Sequence, residues 1–228
     1  MTDDVDVLVL DDAEAAAARV ADLLAEAAAR GDEIVLTGGS TPARAYELAA
    51  ERQRDWHSAG VWWGDERCVP PHDERSNFGL ARDTLLERVD VGPRAVHRIR
   101  GELEPKVAAE EYEHELDGVA LDLLLLGIGP DGHVASLFPN EPTLEEQRRR
   151  VIPARAKLEP FVERVTLTLP VLNAARHVVF LVSGEQKSDA VARAFAAPPS
   201  PATPSSLVRG VETTTAVLDR AAATRLRL

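Results

Sequence analysis

A histidine and an aspartate lie close together in the glycine-rich segment GIGPDGHVASLFP, residues 127–139. The Asp131 carboxylate could fix the tautomer of the His133 imidazole, so His133 is our candidate for a general base. A structural histidine that caps a helix is the alternative. The segment also has the G-x-G-x-x-G spacing of a dinucleotide-binding turn, which requires an acidic residue about 20 positions further on. The sequence there is RRRVIPARAK, and Pro130 removes an amide donor, so both features disfavour a dinucleotide.

The segment LTGGSTPARAYE, residues 36–47, has groups suited to binding a phosphate. Gly39 allows a tight turn, Ser40 or Thr41 could cap the helix that follows, and Pro42 suits its first position. Free N–H groups and hydroxyls at the start of a helix form a natural phosphate site. An ordinary capped turn is the alternative. The segment has neither the lysine motif of a P-loop nor the second glycine of a G-x-S-x-G elbow.

Charged residues follow two other predicted strands and begin a third. Asp65 and Arg67 come directly after an apolar strand in VWWGDERCVPPHDERSN, residues 61–77, and could orient a hydroxylated substrate. Arg164 begins a strand, and Lys187, one of only three lysines, follows another in SGEQK. Together with the Gly-Ser-Thr turn these cations could surround a phosphate, although each alone could equally be a surface charge.

The sequence disfavours a metal centre and a cysteine nucleophile. No H-E-x-x-H motif occurs, because His114-Glu115 lacks the second histidine, and Cys68 is the single cysteine. We therefore expect no metal ligands, no internal disulfide and a reducing, cytoplasmic environment.

Helical and strand patterns alternate along the chain. Strands are predicted over 5–10, 33–37, 59–64, 95–99, 120–126, 164–169, 177–184 and 214–219, and helices over 12–30, 42–54, 76–89, 104–116 and 186–196. The strands, including VDVLVL at 5–10, are apolar throughout, which predicts burial on both faces. The expected fold is α/β, a Rossmann-like, mostly parallel sheet with helices on both faces. Because ligands bind at the carboxyl ends of such strands, the candidate residues could converge there. Residues 65–75 are predicted to form a polar loop, and residues 196–206 a surface loop.

Composition narrows the classes of partner. The 228 residues, 45% of them hydrophobic, predict a single domain over 1–228. A net charge of −12 disfavours nucleic-acid partners. The chain has no uncharged apolar run near the roughly 18 residues of a membrane span, and MTDDVDVLVL lacks a basic leader segment. A small-molecule ligand is therefore expected, and the oligomeric state is left open.

Taken together, five segments resemble the glucosamine-6-phosphate isomerase/6-phosphogluconolactonase family over roughly residues 5–197. They are LTGGSTP, WWGDERCVPPHDERSN, LLLLGIGPDGHVASLFP, RVTLTLPVLNAAR and LVSGEQK. The GDER sequence followed by SN favours the lactonase branch, because the deaminases have a Met-Asp-Glu-Tyr-like sequence there. One departure is ETTTAVLDRAAA, which lacks the tryptophan usual in the family's last strand.

The resemblance implies a fold, a reaction and a set of roles. The fold would be that of the deaminases and lactonases. The reaction would be hydrolysis of 6-phosphoglucono-δ-lactone to 6-phosphogluconate, the second step of the oxidative pentose phosphate pathway, without metal or organic cofactor. His133 would be the base, with Asp131 beside it, and Asp65 and Arg67 would face the sugar ring or the lactone carbonyl. The phosphate would be held by Gly39, Ser40, Thr41, Arg164 and Lys187. An amino-sugar phosphate deaminase and a non-catalytic phosphosugar sensor are the alternatives.

Overall fold

The computed structural model describes residues 5–92 and 95–226, and a six-stranded sheet lies at its centre. The strands are β1 Asp6–Leu10, β2 Glu33–Leu36, β3 Asp55–Trp56, β4 Gly60–Trp63, β5 Asp65–Arg67, β6 Asp90–Val91, β7 Leu123–Leu126, β8 Val151–Arg155, β9 Glu163–Leu167, β10 His177–Val182 and β11 Thr213–Asp219. The α-helices are α1 Ala13–Arg30, α2 Ser40–Arg52, α3 Asn77–Thr84, α4 Pro105–Glu115, α5 Leu169–Leu172 and α6 Ser188–Phe195. Short 3-10 helices span Leu86–Arg88, Pro142–Glu145, Glu185–Lys187 and Pro204–Leu207.

The central sheet has the strand order β1-β11-β10-β7-β2-β4, and every neighbouring pair is parallel. The inner strands β7 and β10 are almost entirely buried, which agrees with their continuous apolar sequences. This arrangement confirms the predicted α/β class with a mostly parallel sheet. The carboxyl ends of β2, β7 and β10 therefore lie at one edge of the sheet.

Helix α1 shows how local sequence determines these elements. Asp12 caps it by accepting a hydrogen bond from the Ala15 N–H at 2.8 Å, and Gly31 ends it in the left-handed conformation with φ 78°. Its buried face consists largely of small residues, which allows it to pack closely against the sheet and against α2. The predicted helix over 12–30 is thus confirmed to within one residue.

A second sheet, antiparallel and three-stranded, has the order β5-β9-β8. It corrects two expectations. The GDER segment was expected to be loop, and 164–169 was expected to extend the parallel sheet, but Asp65, Glu66 and Arg67 form a strand that pairs with β9. The strand β8 was not predicted, because Pro153 and the charged residues on both sides of it interrupt the alternation of apolar and polar residues that is typical of a strand.

Three further expectations were wrong. Strand β1 is not buried, since it pairs only with β11 and leaves Leu8 38% exposed and Val9 41% exposed. Residues 95–99 form no strand, and Val96 makes only an isolated bridge to Val61. The segment 196–206 is not simply a surface loop, because Thr203 and Ser205 are buried and the Ser205 N–H donates to the Gly132 carbonyl at 3.0 Å.

The predicted single domain over 1–228 stays a prediction, and residues 1–4, 93–94 and 227–228 of that range lie outside the described residues. Among the helices described, none is both long and apolar enough to cross a membrane.

Candidate active site

Two adjoining cavities open at the carboxyl ends of β2, β7 and β10. The histidine cavity is lined by Thr37, Gly38, Asp65, Arg67, Asn77, Gly127, Ile128, Gly129, His133, Ala135, Arg164 and Lys187. The threonine cavity is lined by Gly38, Gly39, Ser40, Thr41, Pro42, Gly127, Ile128, Leu181, Val182, Ser183, Gln186 and Lys187. Lys187 belongs to both linings, as do Gly38, Gly127 and Ile128. All the candidate residues from the sequence therefore lie at this edge, and Asp131 adjoins the cavities through its contact with His133.

His133 and Asp131 are joined by two hydrogen bonds. The Asp131 Oδ1 lies 2.6 Å from the ring Nδ1 of His133 and accepts the backbone N–H of the same residue at 3.1 Å. Burial opposes the charge on Asp131, but these bonds and the imidazole charge outweigh burial and lower the pKa of Asp131. An ionised carboxylate only accepts hydrogen bonds, so Nδ1 is the donor in this contact, and in the neutral ring the lone pair is on Nε2.

The glycines of this loop make room for the pair. A Cβ on Gly129 would overlap the His133 ring and crowd the Asp131 carboxylate, so no larger residue fits there without moving the imidazole. Gly132 has φ 97°, a conformation that favours glycine, and it packs against Thr203. The G-x-G-x-x-G spacing in this chain therefore serves to turn the backbone around a histidine.

The Asp65 carboxylate is buried and connects three parts of the site. It accepts the Ser136 hydroxyl at 2.6 Å and the Asn77 side-chain amide at 3.2 Å, and it lies 4.0 Å from Arg164 Nη1. Ser136 follows the histidine loop, and Asn77 begins α3. Asp65 therefore holds the histidine loop against the antiparallel sheet, in addition to lining the cavity.

Arg67 and Arg164 line the histidine cavity from adjacent strands. They are direct partners in the register of β5 and β9. Burial lowers the pKa of Arg164, which Asp65 opposes and the charge of Arg67 reinforces. Arg164 does not line the threonine cavity, so the structure separates it from the Gly-Ser-Thr turn with which the sequence grouped it.

The threonine cavity lies at the start of α2. Gly39 is the residue before the helix, with φ 121°, and no side chain caps the first turn. The expectation that Ser40 or Thr41 caps this helix is thus wrong; Thr41 Oγ1 instead pairs with Ser183 Oγ at 2.5 Å. Lys187 is half-buried, and burial lowers its pKa, opposed by the charge of Asp131. Among the residues described, its ammonium makes no ion pair within 4.0 Å.

Other buried polar residues hold the segments of the site together. Glu66 is buried and accepts N–H groups of Asn77 and Phe78, both at 2.8 Å, as well as the Ser76 hydroxyl at 3.0 Å. Burial raises the pKa of Glu66, although these bonds oppose the shift. Ser76 caps α3 through the Gly79 N–H at 3.0 Å. The sequence shows how far apart the GDER and SN segments are along the chain. It does not show that Glu66 of the first accepts hydrogen bonds from Ser76 and Asn77 of the second.

The fold and cavities define an α/β protein with a cation-lined site at the carboxyl edge of its sheet, next to a carboxylate–histidine pair. Residues 10–217 match the family described as glucosamine-6-phosphate isomerases/6-phosphogluconolactonase. The chain belongs to that family, as the resemblance in its motifs indicated.

Individual relatives agree with this placement. The chain is 39% identical to a 6-phosphogluconolactonase of Streptomyces coelicolor, with 94% of this chain and 90% of that protein covered. It is 38% identical to a 6-phosphogluconolactonase of Mycobacterium leprae, with 93% of each covered. The crystal structure of 6-phosphogluconolactonase from Thermotoga maritima superposes with a TM-score of 0.81 at 31% identity, covering 95% of this chain and 100% of that one.

Proposed function

We propose that this chain hydrolyses 6-phosphoglucono-δ-lactone to 6-phosphogluconate, the second step of the oxidative pentose phosphate pathway. The observation that carries the proposal is the 2.6 Å contact between Asp131 and His133 beside a cavity lined by Arg67, Arg164 and Lys187. The relatives that cover most of this chain and are named for that reaction support it. A cytoplasmic location belongs to the proposal and rests on the single cysteine.

The proposed base is Nε2 of His133, since Nδ1 is bonded to Asp131. Nε2 takes a proton from a water molecule while the water oxygen attacks C1 of the lactone. The tetrahedral intermediate then collapses, the bond from C1 to the ring oxygen breaks, and the departing oxygen takes the proton back from Nε2. The carboxylic acid that results ionises at neutral pH. General acid–base assistance of this kind is typically worth about 10²–10⁴-fold in rate.

The phosphate of the substrate is proposed to lie in the threonine cavity. Gly39, Ser40 and Thr41 contribute N–H groups and hydroxyls at the start of α2, and Lys187 contributes a charge between the two cavities. In a chain of net charge −12, such a local positive site is needed to hold a dianion. The sequence analysis grouped Arg164 with these residues. Arg164 lines the histidine cavity and not the threonine cavity, so we do not assign it to the phosphate.

Asp65 and Arg67 are proposed to act at the lactone end. Arg67 contributes a permanent positive charge close to where negative charge develops on the carbonyl oxygen. The buried Asp65 keeps the histidine loop in register with that arginine through Ser136.

The direct test generates the lactone with glucose-6-phosphate dehydrogenase and measures 6-phosphogluconate formation against the uncatalysed rate. The proposal predicts a rate that increases in proportion to protein concentration. Glucosamine 6-phosphate is supplied in a parallel assay for ammonia. An uncatalysed rate of lactone opening, or ammonia as the major product, would overturn the proposal in favour of a binding protein or a deaminase, respectively.

A further inference from the structure

Two arginines face each other directly in the antiparallel sheet of the site. Arg67 on β5 and Arg164 on β9 are register partners, and both line the histidine cavity. Like charges placed opposite each other on neighbouring strands are destabilising. Among the residues that line this cavity, three cations, Arg67, Arg164 and Lys187, stand against one carboxylate, Asp65. The lining residues therefore carry a net positive charge, which the adjoining Asp131 offsets in part and an anionic ligand would offset further.

The hydrogen bonds of the two guanidinium groups show which of their edges are free. Arg164 donates from Nε to the Val162 carbonyl at 3.3 Å and from Nη2 to the Pro160 carbonyl at 3.0 Å. Its Nη1 makes no hydrogen bond to the described residues and lies 4.0 Å from the Asp65 carboxylate. Arg67 donates from Nη1 to the Arg75 carbonyl. Its buried Nε has no acceptor among the residues that the structure describes.

This leaves the edge of Arg67 formed by Nε and Nη2 without a hydrogen bond in the described part of the chain. That edge is one of the two-donor forks that a carboxylate accepts in bidentate fashion. A buried donor without an acceptor is costly, so it points to a ligand atom that completes the site. The Asp65 carboxylate does not fill this position, because among the described residues its ion-pair contact is with Arg164, at 4.0 Å, and none within that distance joins it to Arg67.

We propose that Arg67 and Arg164 form a second anion subsite, which binds the carboxylate of a 6-phosphoaldonate. The inference rests on the proposed function for the phosphate, which the threonine cavity and Lys187 hold at the other end of the ligand. It assigns Arg164 to the carboxylate and not to the phosphate. A lactone is neutral at C1, whereas the tetrahedral intermediate and the product are anionic there. The subsite therefore stabilises the developing charge, and it also makes the open-chain product a competitive inhibitor.

The test is calorimetric binding of three ligands that do not turn over: 6-phosphogluconate, glucitol 6-phosphate, which has CH₂OH in place of the carboxylate, and gluconate, which lacks the phosphate. Wild-type protein is expected to bind 6-phosphogluconate at least about 10-fold more tightly than glucitol 6-phosphate. Arg67→Gln and Arg164→Gln should each remove most of this preference while changing the affinity for glucitol 6-phosphate little. Lys187→Gln should weaken both phosphorylated ligands together.

Arg155→Gln is the matched control, because Arg155 is an exposed arginine of β8 in the same small sheet. It should behave as wild type. Equal affinities of the wild type for the two phosphorylated ligands would overturn the inference. So would an Arg164→Gln variant that weakens both equally, since that result would make Arg164 a phosphate ligand. The binding assay involves no turnover, so it is independent of the activity assay. If the protein opens the lactone but shows no preference for 6-phosphogluconate over glucitol 6-phosphate, only the carboxylate subsite is refuted. A preference retained without lactonase activity refutes only the proposed reaction.

Discussion

His133 has one ring nitrogen bonded to Asp131, and that bond decides which nitrogen remains available for chemistry. The same reasoning applies to the other side chains of the site. The role we infer for each one depends on which of its donor and acceptor atoms are already hydrogen-bonded within the protein. Both Asp65 oxygens accept hydrogen bonds, so this residue organises its neighbours. Within the described residues the Nε of Arg67 has no acceptor, and the proposal assigns this donor to a ligand.

Replacing Asp131 with Asn should alter the pH dependence of stability. The pKa of Asp131 is lowered in the folded state, so its carboxylate contributes stability above the unfolded pKa of about 3.9 and loses it as the pH falls through the lowered value. The difference in free energy of unfolding between wild type and Asp131→Asn should therefore be largest at neutral pH and shrink below about pH 4. Urea denaturation at several pH values measures it.

Asp117→Asn, at an exposed aspartate with no side-chain hydrogen bond in the described structure, is the control for this series. A wild-type advantage over Asp131→Asn that grows on acidification would contradict the sign of the shift.

At the scale of elements, loops after parallel strands are held by residues from the small antiparallel sheet and by glycines. The histidine loop leaves β7, closes over Gly129, and is fixed to β5 through Ser136 and Asp65. The carboxyl edge thus depends on elements that are distant in sequence.

Gly129→Ala should inactivate the enzyme without unfolding it. The added Cβ would overlap the His133 ring, so the imidazole must move, and a displacement of about 1 Å can cost about 10²-fold in rate. Initial-rate kinetics checks this, with circular dichroism to verify the fold. Gly64→Ala is the control, because a Cβ there meets its nearest atoms at an ordinary 3.8 Å. Equal activity of the two variants would show that the loop glycine does not control the histidine.

Ser136→Ala tests the attachment of the loop to Asp65. Ser136 is fully buried and donates to a buried carboxylate, and hydrogen bonds to charged groups are worth about 1.5–3 kcal/mol. We expect a loss of roughly that size in the free energy of unfolding, measured in urea, together with a lower kcat. A loss below about 0.5 kcal/mol would mean that this bond contributes little.

At the scale of the whole molecule, the sequence predicted the parallel sheet and its helices because the apolar runs of β7 and β10 and the caps of α1 are local signals. It did not predict β8, whose proline and charges hide the strand pattern, or the exposure of the edge strand β1. The motifs were sufficient to identify the candidate residues. They did not show which of these residues lie next to each other in the folded protein. Arg67 and Arg164 are far apart in the chain, and only the pairing of β5 with β9 brings them together.

The sequence alone also does not predict how charge is distributed in the folded protein. A net charge of −12 gives no indication of where an anionic ligand would bind, whereas the fold gathers three cations at one edge of the sheet. The net charge of the chain disfavours an anionic ligand, whereas the three cations favour one locally.

The central claim, that His133 is the base in lactone opening, is tested most directly by the rate of 6-phosphogluconate formation with His133→Ala. The proposal predicts that kcat/KM, corrected for spontaneous hydrolysis, falls by about 10²–10⁴-fold. Binding of glucitol 6-phosphate and the free energy of unfolding should remain close to wild type. A folded His133→Ala protein that opens the lactone at near wild-type rate would contradict the account.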